Sequence, residues 1–119
     1  MSDNRFPKEN RLVKEDDFSR VYEKGLREAD GSFVFYLLEN DCSRPRIGIV
    51  TPKYLGHAAE RNRIKRIVRE TFRKNKEKFE GFDFIVRPKK SAGDMANAEL
   101  SKKFLSDFRS SKKVVENGD

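Results

Sequence analysis

Apolar residues recur along this chain with two different spacings, one typical of helices and the other of strands. Helical spacing predicts three segments, which run from Lys14 to about Glu23, from about His57 to about Phe79, and from Asp94 to about Arg109. In the first of them, Phe18, Val21 and Tyr22 fall at positions i, i+3 and i+4, so they share one face. Gly25 and Gly81 are placed to end the first two helices.

Three other segments are dense in aromatic and β-branched residues and predict strands: Ser32 to Leu38, Arg46 to Thr51, and Asp83 to Arg87. A short edge strand is also expected between Leu26 and Asp30. Because turn-forming residues separate the first two long strands, we expect those strands to pair as a hairpin with a longer loop. The order of helix, strands, helix, strand and helix predicts an α+β fold, with helices packed on one mixed central sheet.

Length and composition favour one domain. A chain of 119 residues, of which 35% are hydrophobic, can build one core of sheet and helices, and its 10 phenylalanines supply large side chains for that core. No repeat or linker divides the sequence. Residues 1–119 are therefore expected to form a single domain, with an irregular N-terminal arm over about 1–13 and a frayed tail over about 110–119.

The N-terminus and the cysteine content bear on compartment and cofactors. The first ten residues, MSDNRFPKEN, lack the apolar core of a signal peptide, and no apolar run approaches the roughly 20 residues of a membrane span. Cys42 is the single cysteine and His57 the single histidine, which excludes a disulfide framework and a zinc site built from these residue types. A cytoplasmic protein that binds no membrane is expected.

Positive charge is concentrated in the long predicted helix. The formal net charge is +7, and the segment from Arg61 to Lys76 holds eight basic residues against the single acid Glu70. Eight minus one is +7, so the rest of the chain sums to zero. On a helix of about 100° per residue, the basic side chains face away from an apolar stripe that includes Ile64 and Val68 and that the core requires.

This cationic face favours a polyanionic partner. Like charges at i and i+4 destabilise a helix by about 0.2–0.5 kcal/mol per pair, and a purely structural, solvated face would normally mix both signs. Membrane binding would need the apolar stripe, which a small core cannot release. Arginine suits phosphate, because a planar guanidinium can bind two of its oxygens. Nucleic acid is therefore the favoured partner, with a solvated face and a membrane surface as the alternatives.

The same segment also resembles a known family. The run RNRIKRIVRETFR, from Arg61 to Arg73, resembles the signature of the bacterial ribonuclease P protein family. The flanking segments are similar to the family in the same order, namely Arg11-Leu12, Asp17-Phe18, Val21-Tyr22, Phe33 to Tyr36, Arg46 to Gly48, Lys53, Gly56 and Asp83 to Val86. The resemblance covers about residues 6 to 110.

The resemblance implies both a function and a fold. Ribonuclease P removes the 5′ leader from precursor tRNA by metal-dependent phosphodiester hydrolysis, and its catalyst is an RNA subunit. This chain would then be the protein subunit, with the catalytic RNA and precursor tRNA as partners. It would bind no cofactor itself, whereas the holoenzyme would require Mg²⁺. The family's fold implies a left-handed βαβ crossover through the long helix, against the general right-handed rule, and we expect the left-handed form.

The resemblance also implies roles for individual residues. The side chains expected to bind the catalytic RNA are Arg61, Asn62, Arg63, Lys65, Arg66, Arg69 and Arg73. Those expected to form the cleft for the single-stranded leader are Phe18, Tyr22, Tyr36 and Lys53. Aromatic faces accept many base sequences, which suits such a cleft, although helical spacing alone would place Phe18 in the core. Pro52, Tyr54 and His57 depart from the family pattern, and these departures concern the cleft rim more than the basic helix.

No protein active site is expected. The sequence has no Walker-type or GxGxxG loop, Cys42 has no evident base partner, and Asp16 and Asp17 would diverge on a helix instead of holding a metal together. His57 is placed to begin the long helix. The main alternative function is a general RNA-binding or ribosome-associated module with no role in cleavage. A protein-only nuclease is a more distant alternative, which cleavage by the protein without RNA would support.

Overall fold

The computed structural model describes residues 8–41 and 44–117, and these residues adopt the predicted α+β architecture. The elements in chain order are α1 (Glu15–Lys24), β1 (Leu26–Glu28), β2 (Phe33–Glu39), β3 (Arg46–Ile49), α2 (Ala58–Lys74), β4 (Phe82–Pro88), α3 (Lys90–Gly93) and α4 (Asn97–Asn117). Single 3-10 turns lie at Lys8–Asn10, Lys53–Leu55 and Lys76–Lys78. The first part of the predicted arm, residues 1–7, and Cys42 lie outside the described residues.

The four strands form one mixed sheet in the order β1-β2-β4-β3. The edge strand β1 and the strand β4 both pair antiparallel with β2, and β3 pairs parallel with β4. The predicted hairpin between β2 and β3 is therefore wrong, because β4 lies between them. Six of the seven residues of β4 are buried, which is typical of a central strand that needs partners on both edges. The left hand of the β3–α2–β4 crossover stays a prediction.

The sheet separates two layers of helix. On one face, the rings of Phe35, Phe84 and Phe108 lie with centroids 4.9–6.3 Å apart and join the sheet to α4, while α2 packs beside α4 on the same core. On the other face, Val21 of α1 packs against Ile85 of β4 in a smaller cluster. The period-2 alternation of β2 and β4 sends successive side chains to these two cores.

The long helix begins where it was predicted and ends earlier. His57 occupies its N-cap position, and the helix runs from Ala58 to Lys74 instead of to about Phe79. The 3-10 turn that follows, Lys76–Lys78, delivers Phe79 to the core, where its side chain is fully buried. Burying this ring explains why the sequence pattern stays apolar beyond the end of the helix.

Both ends of the described chain are more ordered than predicted. The prediction of a frayed tail from about residue 110 is wrong as far as Asn117. Helix α4 continues to that residue, with Ser111 buried and Val115 packed against the core. At the other end, Arg11 forms an isolated parallel bridge with Ile47. The described part of the arm therefore lies along the outer edge of β3.

Candidate nucleic-acid interface

The outer face of α2 presents most of the side chains expected to bind RNA. Ile64 and Val68 are 0% exposed and fix which side of the helix faces the sheet, so the polar residues on the other side face outward. We call this surface the α2 ridge, which consists of Arg61, Asn62, Lys65, Arg66, Arg69 and Arg73. Each of these residues is exposed or half-buried.

Glu70, an acid in the C-terminal half of α2, does little to neutralise this ridge. Glu70 Oε2 lies 4.0 Å from Arg66 Nη1, and both side chains are about half exposed. An exposed pair at this distance contributes about 0–1 kcal/mol, because water screens it. The ridge has five basic side chains, so it keeps a net positive charge against Glu60 and Glu70, the two acids of α2.

Arg63 belongs to the same RNRIKRIVRETFR segment, but its guanidinium group bonds to other parts of the protein. Its Nη1 donates to Asn97 Oδ1 at 2.5 Å, and its Nη2 donates to the backbone carbonyls of Met95 at 3.2 Å and Gly93 at 3.4 Å. These contacts tie α2 to the loop between α3 and α4. An RNA contact by Arg63 stays a prediction, and sequence reasoning missed this structural role because nothing local to α2 indicates that the loop returns there.

Two of the predicted cleft residues are in direct contact. The rings of Tyr22 on α1 and Tyr36 on β2 meet edge to face, with centroids 4.8 Å apart and an interplanar angle of 75°. Tyr22 is 41% exposed, whereas Tyr36 is half-buried. Burial raises the pKa of Tyr22 and the neighbouring Tyr36 raises it further, while Arg87 opposes them. Tyr22 is therefore the more accessible member of the pair.

Phe18 lies deeper than the two tyrosines. Its half-buried ring packs against the cluster of Leu12, Val21 and Ile85 and lies directly on the backbone of Gly48. A Cβ at Gly48 would come within 2.7 Å of two ring atoms of Phe18, so this close approach requires glycine. Phe18 therefore packs against the core at a half-buried position, and leader binding by Phe18 stays a prediction.

The predicted rim of the cleft lies on the turn between β3 and α2. Lys53 is exposed on this turn, and the neighbouring Tyr54 donates its hydroxyl to the Pro88 carbonyl at 2.7 Å. Gly56 ends the turn with a φ of 121°, a left-handed conformation that favours glycine. Tyr54 thus anchors the turn to the end of β4, and this is a structural consequence of its departure from the family pattern.

Two arginines near the tyrosine pair were missed by the sequence analysis. Arg27 lies opposite Tyr36 in the β1–β2 register, so the two side chains share a face of the sheet. Arg87 is close enough to lower the pKa of Tyr22, and strand alternation places it on the same face as Ile85. The sequence predicts that side chains of β4 alternate between the two faces of the sheet. It does not show on which face α1 packs, and so it does not place Arg87 beside Tyr22.

A buried carboxylate holds α1 against this face of the sheet. Asp83 is 1% exposed, and its Oδ2 accepts from Arg20 and from Arg46, each at 2.6 Å. Asn40 Nδ2 donates to its Oδ1 at 2.8 Å. Burial alone would raise the pKa of Asp83, but the hydrogen bonds from Arg46 and Asn40 and the charges of the two arginines outweigh burial and lower it.

These carboxylates do not fit a metal ion. Asp17, the nearest other acid, accepts from Arg20 at 3.0 Å and lies 3.7 Å from Arg46, so both carboxylates are already neutralised by arginine. Within residues 8–41 and 44–117, no three His, Cys, Asp or Glu side chains are grouped as a metal site would need. The expectation that the protein binds no cofactor stays a prediction. Each helix in the same residues is too short or too polar to span a bilayer.

Comparison with known sequences gives the chain a clear set of relatives. Residues 6–111 match the family model described as Ribonuclease P. The protein named "Ribonuclease P protein component" from Bacillus velezensis is 37% identical over 103 residues, which cover 86% of this chain and 89% of that protein. The protein of the same name from Vibrio campbellii is 38% identical over 100 residues, which cover 83% of this chain and 85% of that protein.

Solved structures give the same answer for the fold. The RNase P protein of Staphylococcus aureus superposes with a TM-score of 0.81 at 35% identity, over 88% of this chain and 97% of that one. The RNase P protein of Thermotoga maritima superposes with a TM-score of 0.75 at 31% identity, over 84% of this chain and 96% of that one. The likeness extends through nearly the whole length of both relatives.

Proposed function

The chain belongs to the ribonuclease P protein family, and we propose that it is the protein subunit of a ribonucleoprotein that removes the 5′ leader of precursor tRNA. Membership implies a subunit of a tRNA-processing ribonuclease. The observation that carries the finer proposal is the α2 ridge, since the family signature coincides with an outward face of concentrated positive charge. Residues 1–119 act in this proposal as one RNA-binding domain in the cytoplasm, with no membrane partner.

In this proposal the α2 ridge binds the catalytic RNA. Its members are held on a helix whose apolar side is buried, so they are presented as a rigid array and lose little freedom on binding. Guanidinium groups can bind phosphate oxygens in pairs, which favours arginine over lysine along an RNA backbone. Displacing counterions from that backbone supplies most of the affinity and makes it depend on salt.

The cleft between α1 and the sheet would hold the leader. Tyr22 and Tyr36 offer aromatic faces on which bases of any sequence stack, at about 1–3 kcal/mol per base. Arg27 and Arg87 share that face and supply positive charge for the leader phosphates. Phe18 would support the cleft from beneath, and Lys53 would carry charge at its rim.

Catalysis in this proposal resides in the RNA. The protein supplies no catalytic residue and holds no cofactor, and the Mg²⁺ ions that the holoenzyme requires are bound by RNA phosphates. The pairing of Asp17 and Asp83 with arginines supports this division of roles, because it leaves neither carboxylate available to a metal. The protein contributes by positioning the substrate and by screening the repulsion between two RNA backbones.

Reconstitution tests this function directly. The purified protein is mixed with a bacterial ribonuclease P RNA and a precursor tRNA at low Mg²⁺, and 5′ cleavage is measured with each component omitted in turn. We expect cleavage only when protein and RNA are both present, and tighter binding of precursor than of mature tRNA. If RNA binding is intact but cleavage is not stimulated, a general RNA-binding module is the better description. Cleavage by the protein alone would indicate a protein nuclease.

A further inference from the structure

A second basic surface lies along α4, outside both the α2 ridge and the cleft. It is a groove of about 860 Å³, which we call the α4 groove. Its basic lining comes from α4 and from the 3-10 turn after α2, and Leu105 is half-buried at its floor. Lys102 and Arg109 are seven residues apart on α4, which separates them by about 10 Å along one side of the helix.

The cations of the α4 groove are of two kinds. Lys103 lies 3.1 Å from Asp107, and Lys112 lies 4.0 Å from Glu116, so these two have acidic partners on their own helix. Lys78, Lys102 and Arg109 also line the groove. Within the part of the chain that the structure describes, none of these last three forms an ion pair, and the groove has one acid in its lining, Glu99. Concave walls on which basic side chains outnumber the acid Glu99 concentrate anions between them.

The α4 groove is continuous with the basic helix. A smaller hollow of about 210 Å³ lies between α2 and α4 and is lined by Lys74 near the end of α2 and by Ala98 of α4. Ala98 also lines the α4 groove, so the two depressions lie side by side. Lys78 stands four residues after α2 ends, and its turn carries the basic surface from one helix to the other.

We propose that the α4 groove binds a second stretch of backbone of the same RNA that the α2 ridge binds. The inference rests on the proposed function, because it extends the footprint of that RNA from one helix to two. RNA fits better than a second copy of the chain, because in a two-fold dimer the groove would face its own copy and its basic side chains, among them Lys78, Lys102 and Arg109, would meet like charges.

Salt dependence of binding distinguishes a true contact from a general loss of charge. The test variant is Lys102→Ala/Arg109→Ala, and the matched control is Lys14→Ala/Lys24→Ala, which removes the same charge from exposed positions at the two ends of α1. Binding to ribonuclease P RNA without substrate is measured across salt concentrations. We expect the slope of log K against log salt to fall by roughly 1.5–2 in the test variant, and by much less in the control. Equal changes in the two variants would overturn the proposal.

Chemical footprinting identifies the occupant. Lysine acetylation is followed by mass spectrometry with and without the RNA. Bound RNA is expected to protect Lys78 and Lys102 and to leave Lys14 and Lys24 reactive. Unchanged reactivity of Lys78 and Lys102 would contradict the inference, and protection that rises with protein concentration in the absence of RNA would indicate a second copy in its place.

The ridge variant Arg66→Ala/Arg69→Ala separates the two proposals. If it lowers the salt slope while the α4 variant behaves like the control, the α4 inference fails and the proposed function stands. If wild-type protein does not bind ribonuclease P RNA at all, both fail together.

Discussion

At the scale of single residues, the tyrosine pair shows how far a sequence can specify a site. Tyr22 and Tyr36 could be expected to lie near a surface, because a tyrosine hydroxyl favours water or a hydrogen-bond partner. Their edge-to-face contact could not, because it depends on how α1 lies across the sheet. That orientation is determined by contacts distant in sequence, such as Arg20 with Asp83 and Phe18 with Gly48.

Replacing Tyr36 tests the leader cleft. Tyr36→Ala should weaken the binding of precursor tRNA to the reconstituted holoenzyme by about 5- to 150-fold, which corresponds to the 1–3 kcal/mol of one stacked base. Binding of mature tRNA and of the catalytic RNA alone should be nearly unchanged. Tyr36→Phe is the matched control, since it keeps the ring and should behave nearly as wild type. A parallel loss of affinity for the catalytic RNA would mean that Tyr36 is structural.

Asp83 should make part of the stability depend on pH. Its pKa is lowered in the folded protein, so its contribution is present above the unfolded pKa of about 3.9 and is lost as pH falls through the folded value. Asp83→Asn should reduce the free energy of unfolding by about 2 kcal/mol at pH 7, because two partly buried arginines lose their charged partner.

Urea unfolding of Asp83→Asn and wild type between pH 7 and pH 2 measures this contribution. The difference in unfolding free energy should begin to shrink near the unfolded pKa of about 3.9 and should go on shrinking as pH falls through the lower pKa of the folded carboxyl. Asp16→Asn, at an exposed position of α1, is the control and should change stability by about 0.5 kcal/mol or less. A difference that stays constant over the whole range would contradict the assigned role of Asp83.

At the scale of elements, α2 is the part of the molecule that the sequence describes best. Its apolar stripe and its charged face follow from helical spacing alone, and the buried residues are those predicted to face the core. Arg63 is the exception, since it belongs to the signature by sequence but bonds to Asn97 and to the backbone before α4. Periodicity assigns a residue to a side of a helix but does not reveal which loop packs there.

Two variants on α2 should therefore have different effects, one on the stability of the protein and the other on RNA binding. Arg63→Ala should lower the free energy of unfolding by about 1–3 kcal/mol, because Asn97 and two backbone carbonyls lose a charged donor. Arg66→Ala/Arg69→Ala should change stability little but lower the salt slope of RNA binding by roughly 1.5–2. Urea denaturation and RNA titration across salt concentrations, applied to both variants, check the contrast. An unchanged salt slope in the double variant would remove the support for the α2 ridge.

At the scale of the whole molecule, the class of fold was predictable and the strand order was not. Alternation and turn residues indicated the strands, but neighbouring strands in sequence suggested a β2–β3 hairpin, and β4 in fact separates them. The dense apolar pattern of β4 was the available signal for a central strand. The tail was predicted to fray because its sequence is polar, yet Ser111 and Val115 anchor the last turns of α4.

The architecture places the α2 ridge and the proposed leader cleft on opposite sides of the sheet, so we expect them to act independently. The effect of Tyr36→Ala on precursor binding should be the same with and without Arg66→Ala/Arg69→Ala, to within about 0.3–0.5 kcal/mol, as expected for distant sites. A double-mutant cycle measures this, with enough protein present to saturate the catalytic RNA in every sample. A larger coupling energy would show that the two surfaces communicate through the sheet.

The position of β4 in the sheet also governs the order in which a newly synthesised chain can fold. Arg46 of β3 and its contact Asp83 of β4 are 37 positions apart, and α2 lies between them. A nascent chain that has emerged only as far as α2 can form the β1–β2 pair, but β3 still lacks its partner strand. Translation must therefore deliver the basic helix before the sheet can close, so the non-local β3–β4 pairing forms after the local β1–β2 pairing. Until then the apolar side of α2 has no finished sheet to cover it, and the growing chain is at its most vulnerable to misassociation.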